Sequence, residues 1–430
     1  MRVALVNPRW TFEGSIYFGC REPHLPLEYG YAKALLEARG HAARIFDAQL
    51  ADMDGAELWT EVRAFRPEMT VVTTAPSYLF WRCAPPELRV PRRTADALRG
   101  SAGALGAVGP HGSTTPRATL RKLDVDAVVV GECEEAIVEL AETPRERWGT
   151  LDGVVTRGSG AAAPTPRAVR MDALPALRWS AATLARHAHH HHRFDRAPDG
   201  PGAEIEASRG CPYHCTFCAK ERFRDGYRKR PLATVLDELD GLVRAGARYV
   251  YFIDEIFLPD RPLLEALAER DVAFGVQMRI DNWSPEMLDL LGRAGCVSIE
   301  AGVESLSEEG RSLLQKRCRL STDELTELLV HAKKSVAFVQ ANLLDSAFDE
   351  PRRVDAWRDD LKRHGVWANA PVPLFPYPGS PEYTLRWGAP DDVAWERAHD
   401  HYLRQFDAFS DIQEDRPLPL SELEGPFVDA

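Results

Sequence analysis

Three of the eight cysteines stand together, as Cys211-Pro-Tyr-His-Cys215-Thr-Phe-Cys218. The other five, Cys20, Cys83, Cys133, Cys296 and Cys318, are scattered. Scattered cysteines in a long chain do not form a disulfide framework, so the triplet reads as a metal or cluster site in a reducing compartment. Thiolates are soft ligands that suit zinc or iron–sulfur clusters. Structural zinc closes a tetrahedron with four protein ligands. Here the loop supplies three thiols, with His214 as a poorly placed fourth donor between two of them. A four-iron cluster held by three cysteines keeps one iron open for chemistry.

The triplet directly follows a strand-like run, Glu204-Ile-Glu-Ala-Ser208, and the beat continues behind it. Tyr249–Asp254, Phe274–Arg279, Val297–Ala301, Val336–Leu344 and Val366–Phe375 read as further strands. Helical spacing fills the gaps, at Leu232–Arg244, Pro285–Ala294 and Asp323–Lys334, with Ser284 and Thr322 as natural N-caps. Six strand–helix units predict a partial (β/α)6 barrel, whose chemistry belongs at the C-terminal strand ends. Residues 1–150 alternate in the same way. Strands are expected at Arg2–Asn7, Arg44–Asp47, Met69–Thr74, Ala104–Val108 and Asp126–Val130, with helices between most of them. That pattern predicts an α/β, doubly wound, Rossmann-like domain with a ligand edge at the strand ends. Residues 151–203 read as a linker, rich in Gly, Ala, Pro and Arg over 157–169 and carrying His187-Ala-His-His-His-His192. The barrel then spans 204–387, and 388–430 is expected to form a helical extension packed on it.

The charge balance, 53 Lys+Arg against 65 Asp+Glu, leaves the chain at −12. An acidic protein is a poor general nucleic-acid binder and suits a neutral or cationic small substrate. No run of eighteen apolar residues is present and the first residues do not read as a secretory signal, so a cytoplasmic protein without a membrane span is expected.

The Cys-x-x-x-Cys-x-x-Cys spacing, Phe217 before the last cysteine, Ser208-Arg-Gly210 in front and the barrel behind resemble the radical S-adenosylmethionine (radical SAM) superfamily. The resemblance implies that Cys211, Cys215 and Cys218 hold a [4Fe–4S] cluster. Its open iron would chelate S-adenosylmethionine and cleave it to a 5′-deoxyadenosyl radical, which takes a hydrogen atom from substrate. It also implies that Asp254 and Glu255 meet the cofactor's amino group. Gln277 and Arg279 would hold its carboxylate or ribose, with Glu300 and Phe217 also beside the cofactor. Pro376-Tyr-Pro-Gly-Ser-Pro381 is similar to the family's last-strand loop. Leu25-Pro-Leu-Glu-Tyr-Gly30, Gly109-Pro-His-Gly112 and Val130-Gly-Glu-Cys-Glu134 resemble the cobalamin-binding-type domain of one subfamily, although no Asp-x-His-x-x-Gly motif offers a lower cobalt ligand. Whether cobalamin is bound is left open at this stage.

Asn7-Pro-Arg-Trp10, Gly14–Cys20 and the histidine run further resemble the paromamine-deoxygenating radical SAM dehydratases of aminoglycoside (apramycin) biosynthesis. That resemblance implies dehydration of a cationic aminosugar-like substrate, with a flavodoxin- or ferredoxin-type electron donor and a separate reductase acting on the product. Glu304, Asp281 and Asp345 are then the candidate acids and bases, and Tyr377 and Asn369 the candidate partners of sugar hydroxyls. Cobalamin-dependent C-methylation is the alternative reaction, and an iron–sulfur electron carrier the remote one.

Overall fold

A computed structural model of the protein describes residues 1–16, 23–76, 84–160, 164–187, 199–345, 348–405 and 417–425. The amino-terminal sheet comprises β1 (Arg2–Asn7), β2 (Ala42–Asp47), β3 (Met69–Thr73), β4 (Ala104–Val108), β5 (Ala127–Val129) and β6 (Val154–Thr156), in the order β2-β1-β3-β4-β5-β6. β3 and β4 are buried at every position, as parallel strands covered on both faces must be, whereas edge strand β2 is half open. Chain order reverses at β1, which pairs with both β2 and β3, so the ligand crevice of such a sheet lies beyond their carboxyl ends. Val3, Leu5, Met69 and Val71 face a core continuous with that of the barrel. Ala4, Val6, Val72 and Leu105 face a separate core on the far side.

Two elements here differ from expectation. Helix Arg89–Leu98 lies between β3 and β4, and its Val-Pro-Arg-Arg start hides the helical period. β6 is an antiparallel edge strand on β5, inside the stretch read as linker. Much of that stretch is built structure. Arg167 bridges Gly131, and Val169, Met171, Leu174 and Leu177 are buried. His187 is also buried, while the rest of the histidine run lies outside the described residues, as do Tyr78–Arg82, Cys20, Cys83, Phe406 and Phe409.

The second sheet is built from β7 (Gly202–Ile205), then β10 (Tyr249–Phe252), β11 (Ala273–Met278), β12 (Cys296–Glu304), β13 (Phe338–Asp345) and β14 (Trp367–Ala368), all parallel. β8 (Ser208–Arg209) and β9 (Arg228–Lys229) form a small antiparallel ribbon that brackets the cysteine loop. The outward rows, such as Val250, Phe252, Phe274, Val276, Ile299 and Val339, are apolar and sit under helices. The inward rows carry Gln277, Ser298, Glu300, Gln340 and Asn342. Because parallel partners in register share a face, Gln277, Glu300 and Gln340 form one tier of the inner wall.

The last strand is broken, not continuous from 366 to 375. β14 ends at Ala368 and β15 (Val372–Pro373) resumes on β13. Asn369 bridges the gap: its side chain accepts from Leu343 N at 2.8 Å and donates to Leu343 O at 3.0 Å. That task removes it from the sugar-binding candidates. At the expected Thr322 cap, Ser321 is the capping residue, in a reciprocal box with Glu324.

The carboxy-terminal helix Ala394–Gln405 packs between the domains instead of on the barrel alone. Trp395 stacks on His111 at 4.2 Å, and Lys122 pairs with Glu396. Tyr402 meets Phe375 at 5.6 Å. Glu424 accepts from Leu88 N at 2.6 Å, and Leu418 N donates to Gly14 O. Among the described residues no helix is long and apolar enough to cross a membrane.

Candidate active site at the barrel mouth

The cysteine loop leaves β8 through Gly210, which sits at φ +81°. A Cβ there would lie 2.1 Å from Gly226 O, so the loop closes only around a residue without a side chain. Gly210→Ala is therefore expected to prevent cluster loading while leaving the distant amino-terminal sheet folded. Iron content and near-ultraviolet circular dichroism together check this.

Cys211, Cys215 and Cys218 are all free thiols on one turn, closed by Cys218 N donating to Cys215 O at 3.2 Å. Burial and the neighbouring Cys211 push the Cys218 thiol up to about 12, and burial also raises Cys211 and Cys215. Clustered thiols with raised pKa values give up their protons to a metal, because binding selects the thiolate. Among the described residues no three His, Cys, Asp or Glu side chains converge closely enough for a single ion. Tetrahedral zinc draws its sulfurs to within roughly 4 Å of one another. Three cysteines on one loop are a soft donor set, as an iron–sulfur cube with one open iron requires. His214 is exposed, and its Nδ1 lies 4.0 Å from Glu221.

Around Cys215 the electrostatic neighbours are Lys316, Glu304, Arg279 and Asp281. Glu304 ends β12 at a register shift against β13, at φ +63°. That bulge turns its carboxylate onto buried Lys316, with which it pairs. Gln315 and Arg317, on either side of Lys316, are also left-handed, at φ +51° and +54°. Three non-glycine residues in this region cost about 1–3 kcal/mol each, and such strain gathers at functional sites. Lys316 was missed from the sequence. The signal was a lone lysine in a loop, and only the fold brings it beside Cys215.

Arg279 follows β11, pairs with Asp281 at 2.6 Å and lies 3.8 Å over the Tyr213 ring. Its Nη1 is buried without a partner, as are Gln277 Oε1, Ser298 Oγ and Asn282 Nδ2. Buried polar atoms are rarely left unpaired, so this wall presents hydrogen-bonding capacity to a ligand. Asp281, expected as a candidate acid or base, is engaged by Arg279. Asp345 ends β13 and is exposed, and Tyr377 packs on Phe375 at 4.6 Å. Phe217 is half-buried in the loop, and Glu300 sits within β12 on the inner wall.

Asp254 and Glu255 support the loop from beneath. Asp254 accepts from Ala207 N at 2.9 Å and from the Ser208 hydroxyl. Glu255 accepts from Gly210 N at 2.8 Å and faces Arg224. Burial pushes the Asp254 carboxyl up to about 8, against the pull of those two donors. An acid with a raised folded pKa binds its proton more tightly folded than unfolded, so it costs stability as pH rises from about 4 through 8. Asp254→Asn should therefore raise the melting temperature at pH 9 and change it little at pH 4, as read by pH-dependent thermal denaturation.

On the amino-terminal sheet edge, His111 is fully buried, and burial lowers its pKa to about 3. Its ring is covered by Trp395, so His111 itself is not presented to a ligand. Gly131 and Gly109 do not leave bare backbone for a ligand: a Cβ on each would meet Arg167 backbone at 2.3 Å or Thr74 Oγ1 at 2.5 Å.

Residues 205–341 match the Radical SAM superfamily. The barrel is a radical SAM domain. Its family uses a four-iron cluster and S-adenosylmethionine. An uncharacterised methyltransferase of Pyrococcus horikoshii is 23% identical over 322 residues, 71% of this chain and 66% of that protein. The anaerobic magnesium-protoporphyrin IX monomethyl ester cyclase of Cereibacter sphaeroides is 26% identical over 416 residues, 87% of this chain and 63% of that protein. The chain thus spans just under two thirds of these relatives' length. Among solved structures, the radical SAM methyltransferase TsrM of Kitasatospora setae, which holds cobalamin and a [4Fe–4S] cluster, superposes with a TM-score of 0.69 at 19% identity. The match covers 89% of this chain and 76% of that one. At that identity the likeness concerns the fold: a Rossmann-like domain followed by a radical SAM barrel.

Proposed function

We propose that the protein is a radical SAM enzyme that transfers a methyl group to a carbon of a polar, hydrogen-bonding substrate. The observation that carries the radical SAM part is the three-thiol loop at the barrel mouth, ringed by Lys316, Arg279, Glu304 and Asp281. Methyl transfer is favoured by the relatives, which include named methyltransferases. Sugar dehydration, expected from the sequence resemblance, has no counterpart among those proteins.

When bound, the cluster and S-adenosylmethionine supply a carbon radical that takes a hydrogen atom from substrate. The chain's own residues do the rest. Lys316 and Arg279 are the cations beside Cys215 that can pair with the cofactor's carboxylate, Lys316 by leaving Glu304. Glu304, so released, would be free to pair with the cofactor's ammonium. Glu300, between Gln277 and Gln340, offers hydrogen-bond acceptors to a hydroxylated or amine-bearing substrate, an aminosugar being one such class.

The test is anaerobic reconstitution with iron and sulfide, then incubation with S-adenosylmethionine, reductant and a panel of amino- and hydroxy-substituted compounds. Release of 5′-deoxyadenosine with a product heavier by one methyl in place of hydrogen is the expected result. A product lighter by one water would restore dehydration. Loss of the methyl product after corrinoid depletion, with restoration on adding cobalamin, would identify the methyl carrier.

A further inference from the structure

The carboxyl edge of the amino-terminal sheet, where a sheet of this kind takes its ligand, is covered by the far end of the same chain. Three edge loops are touched. After β1, Gly14 O accepts from Leu418 N at 2.8 Å. Between β3 and β4, Leu88 N donates to Glu424 at 2.6 Å. After β4, His111 lies under Trp395. Gly14 sits at φ +70°, and a Cβ on it would come within 2.7 Å of Leu418 Cδ1. The cover also reaches the barrel, where Arg397 donates to the Tyr383 hydroxyl at 2.7 Å.

Two features set this contact apart from an ordinary core. The first is a set of stranded polar atoms. Trp395 and His399 lie one turn apart on the buried side of helix Ala394–Gln405. Trp395 Nε1 and both ring nitrogens of His399 are buried without a hydrogen-bond partner, as is Thr74 Oγ1 directly after β3. His399 is completely buried, and burial lowers its pKa to about 4, so the ring is neutral. Buried polar atoms left unpaired cost stability and are rare in a finished interface. The second feature is the fastening. Lys122 of the amino-terminal domain holds both parts of the cover, through Glu396 and Glu424. Such largely buried ion pairs add little net stability for the charge they bury.

As closed, the edge does not admit a corrinoid, because Leu418, Trp395 and Glu424 fill its three loops. We propose that the described carboxy-terminal parts, Ala394–Gln405 and Leu418–Glu424, form a strap that competes for this edge with an amide-fringed macrocycle of the corrinoid class. A hydroxyl and neutral rings suit amides as hydrogen-bonding partners. Release of the strap uncovers His111 and Thr74 and frees the stranded atoms to find partners. No bond is made or broken. The apparent affinity for the ligand is lowered by the fraction of chains in which the strap is closed. The inference rests on the methyl-transfer reading for its choice of ligand, and its test does not pass through methyl transfer.

Hydroxocobalamin is the probe, offered by equilibrium dialysis to the full reconstituted chain. Hydrogen exchange is read at 394–405 and 418–424 with and without it. In the parent, the ligand should raise exchange in both stretches. The double variant Glu396→Lys/Leu423→Ser, which alters only the strap, should bind about tenfold more tightly or better. Glu422→Gln, on the exposed side of the same short helix, should match the parent. A melting curve establishes that the double variant is folded; if it is not, exchange in the parent decides alone. Binding with unchanged exchange would overturn the competition, as would equal affinity in the parent and a folded double variant. Absence of binding by all three chains would overturn the ligand assignment, while methyl transfer is judged separately by product mass.

Discussion

Replacing Cys215 by alanine is expected to reduce 5′-deoxyadenosine release to the background of the uncatalysed reaction. Three thiolates are the minimum that leaves one iron of a cube open while holding the other three. With Cys215 gone, the loop keeps only two thiols, Cys211 and Cys218. The fold should survive, because Cys215 is only partly buried and the loop's backbone is held independently through Thr216 and Gly210. Iron content, visible absorbance and deoxyadenosine yield check the first part, and an unchanged melting curve of the metal-free chain checks the second. Full deoxyadenosine release by the variant would remove the cluster assignment.

The second large effect is on stability and lies between the domains. Arg209 immediately precedes the cluster loop and is completely buried. Its guanidinium forks onto Glu206 at 3.0 and 2.7 Å and reaches Glu134 at 2.8 Å and Glu132 at 3.2 Å in the amino-terminal domain. Arg228 also pairs with Glu132, and Arg224 joins Glu206 to Glu255, which holds Gly210 N. Arg209→Met strands buried Glu134 and removes one of the two cations that hold each of Glu132 and Glu206. Removing one partner of such a buried pair costs about 3–5 kcal/mol, so urea denaturation should show a loss of that size. The cluster loop should loosen with it, because Glu206, which holds Arg224 and through it Glu255, loses the Arg209 fork that fixes it.

The same network sets an acid limit. Burial alone would raise Glu206, but Arg209 and Arg224 pull it down to about 2. A depressed folded pKa contributes stability above the unfolded value near 4.5, and that contribution fades as pH falls towards 2. In the Arg209 variant Glu206 should protonate at a higher pH, and the acid unfolding midpoint should move up with it. A variant as stable as the parent at pH 7 and pH 4 would show that the network carries little energy.

Strand periodicity made both sheets legible. β4 was read at Ala104–Val108, as observed, and most other strands were placed within a few residues, because buried parallel strands are continuous apolar runs that few other elements imitate. The breaks came where side chains replace backbone pairing. Asn369 substitutes for a ladder residue between β14 and β15, and nothing in Val366–Phe375 announces that. Helix Arg89–Leu98 was hidden because three arginines and a proline crowd its first turns, although Val90, Pro91, Ala95 and Leu98 form its buried face.

By itself, the order of residues determined the cysteine triplet, its place after a barrel strand and the two α/β units, since spacing along the chain is enough to put three thiols on one loop. Tertiary structure alone decided what surrounds them. Lys316 reaches Cys215 from about a hundred positions away only because strained turns and the bulge at Glu304 aim it there. Glu132 and Glu134, read from the sequence as part of a cofactor domain, bind Arg209 of the barrel. The reason is physical. Local spacing controls which side chains share a loop or a face, but charge pairing depends on distances of a few ångströms, which the chain sets only after distant elements have packed.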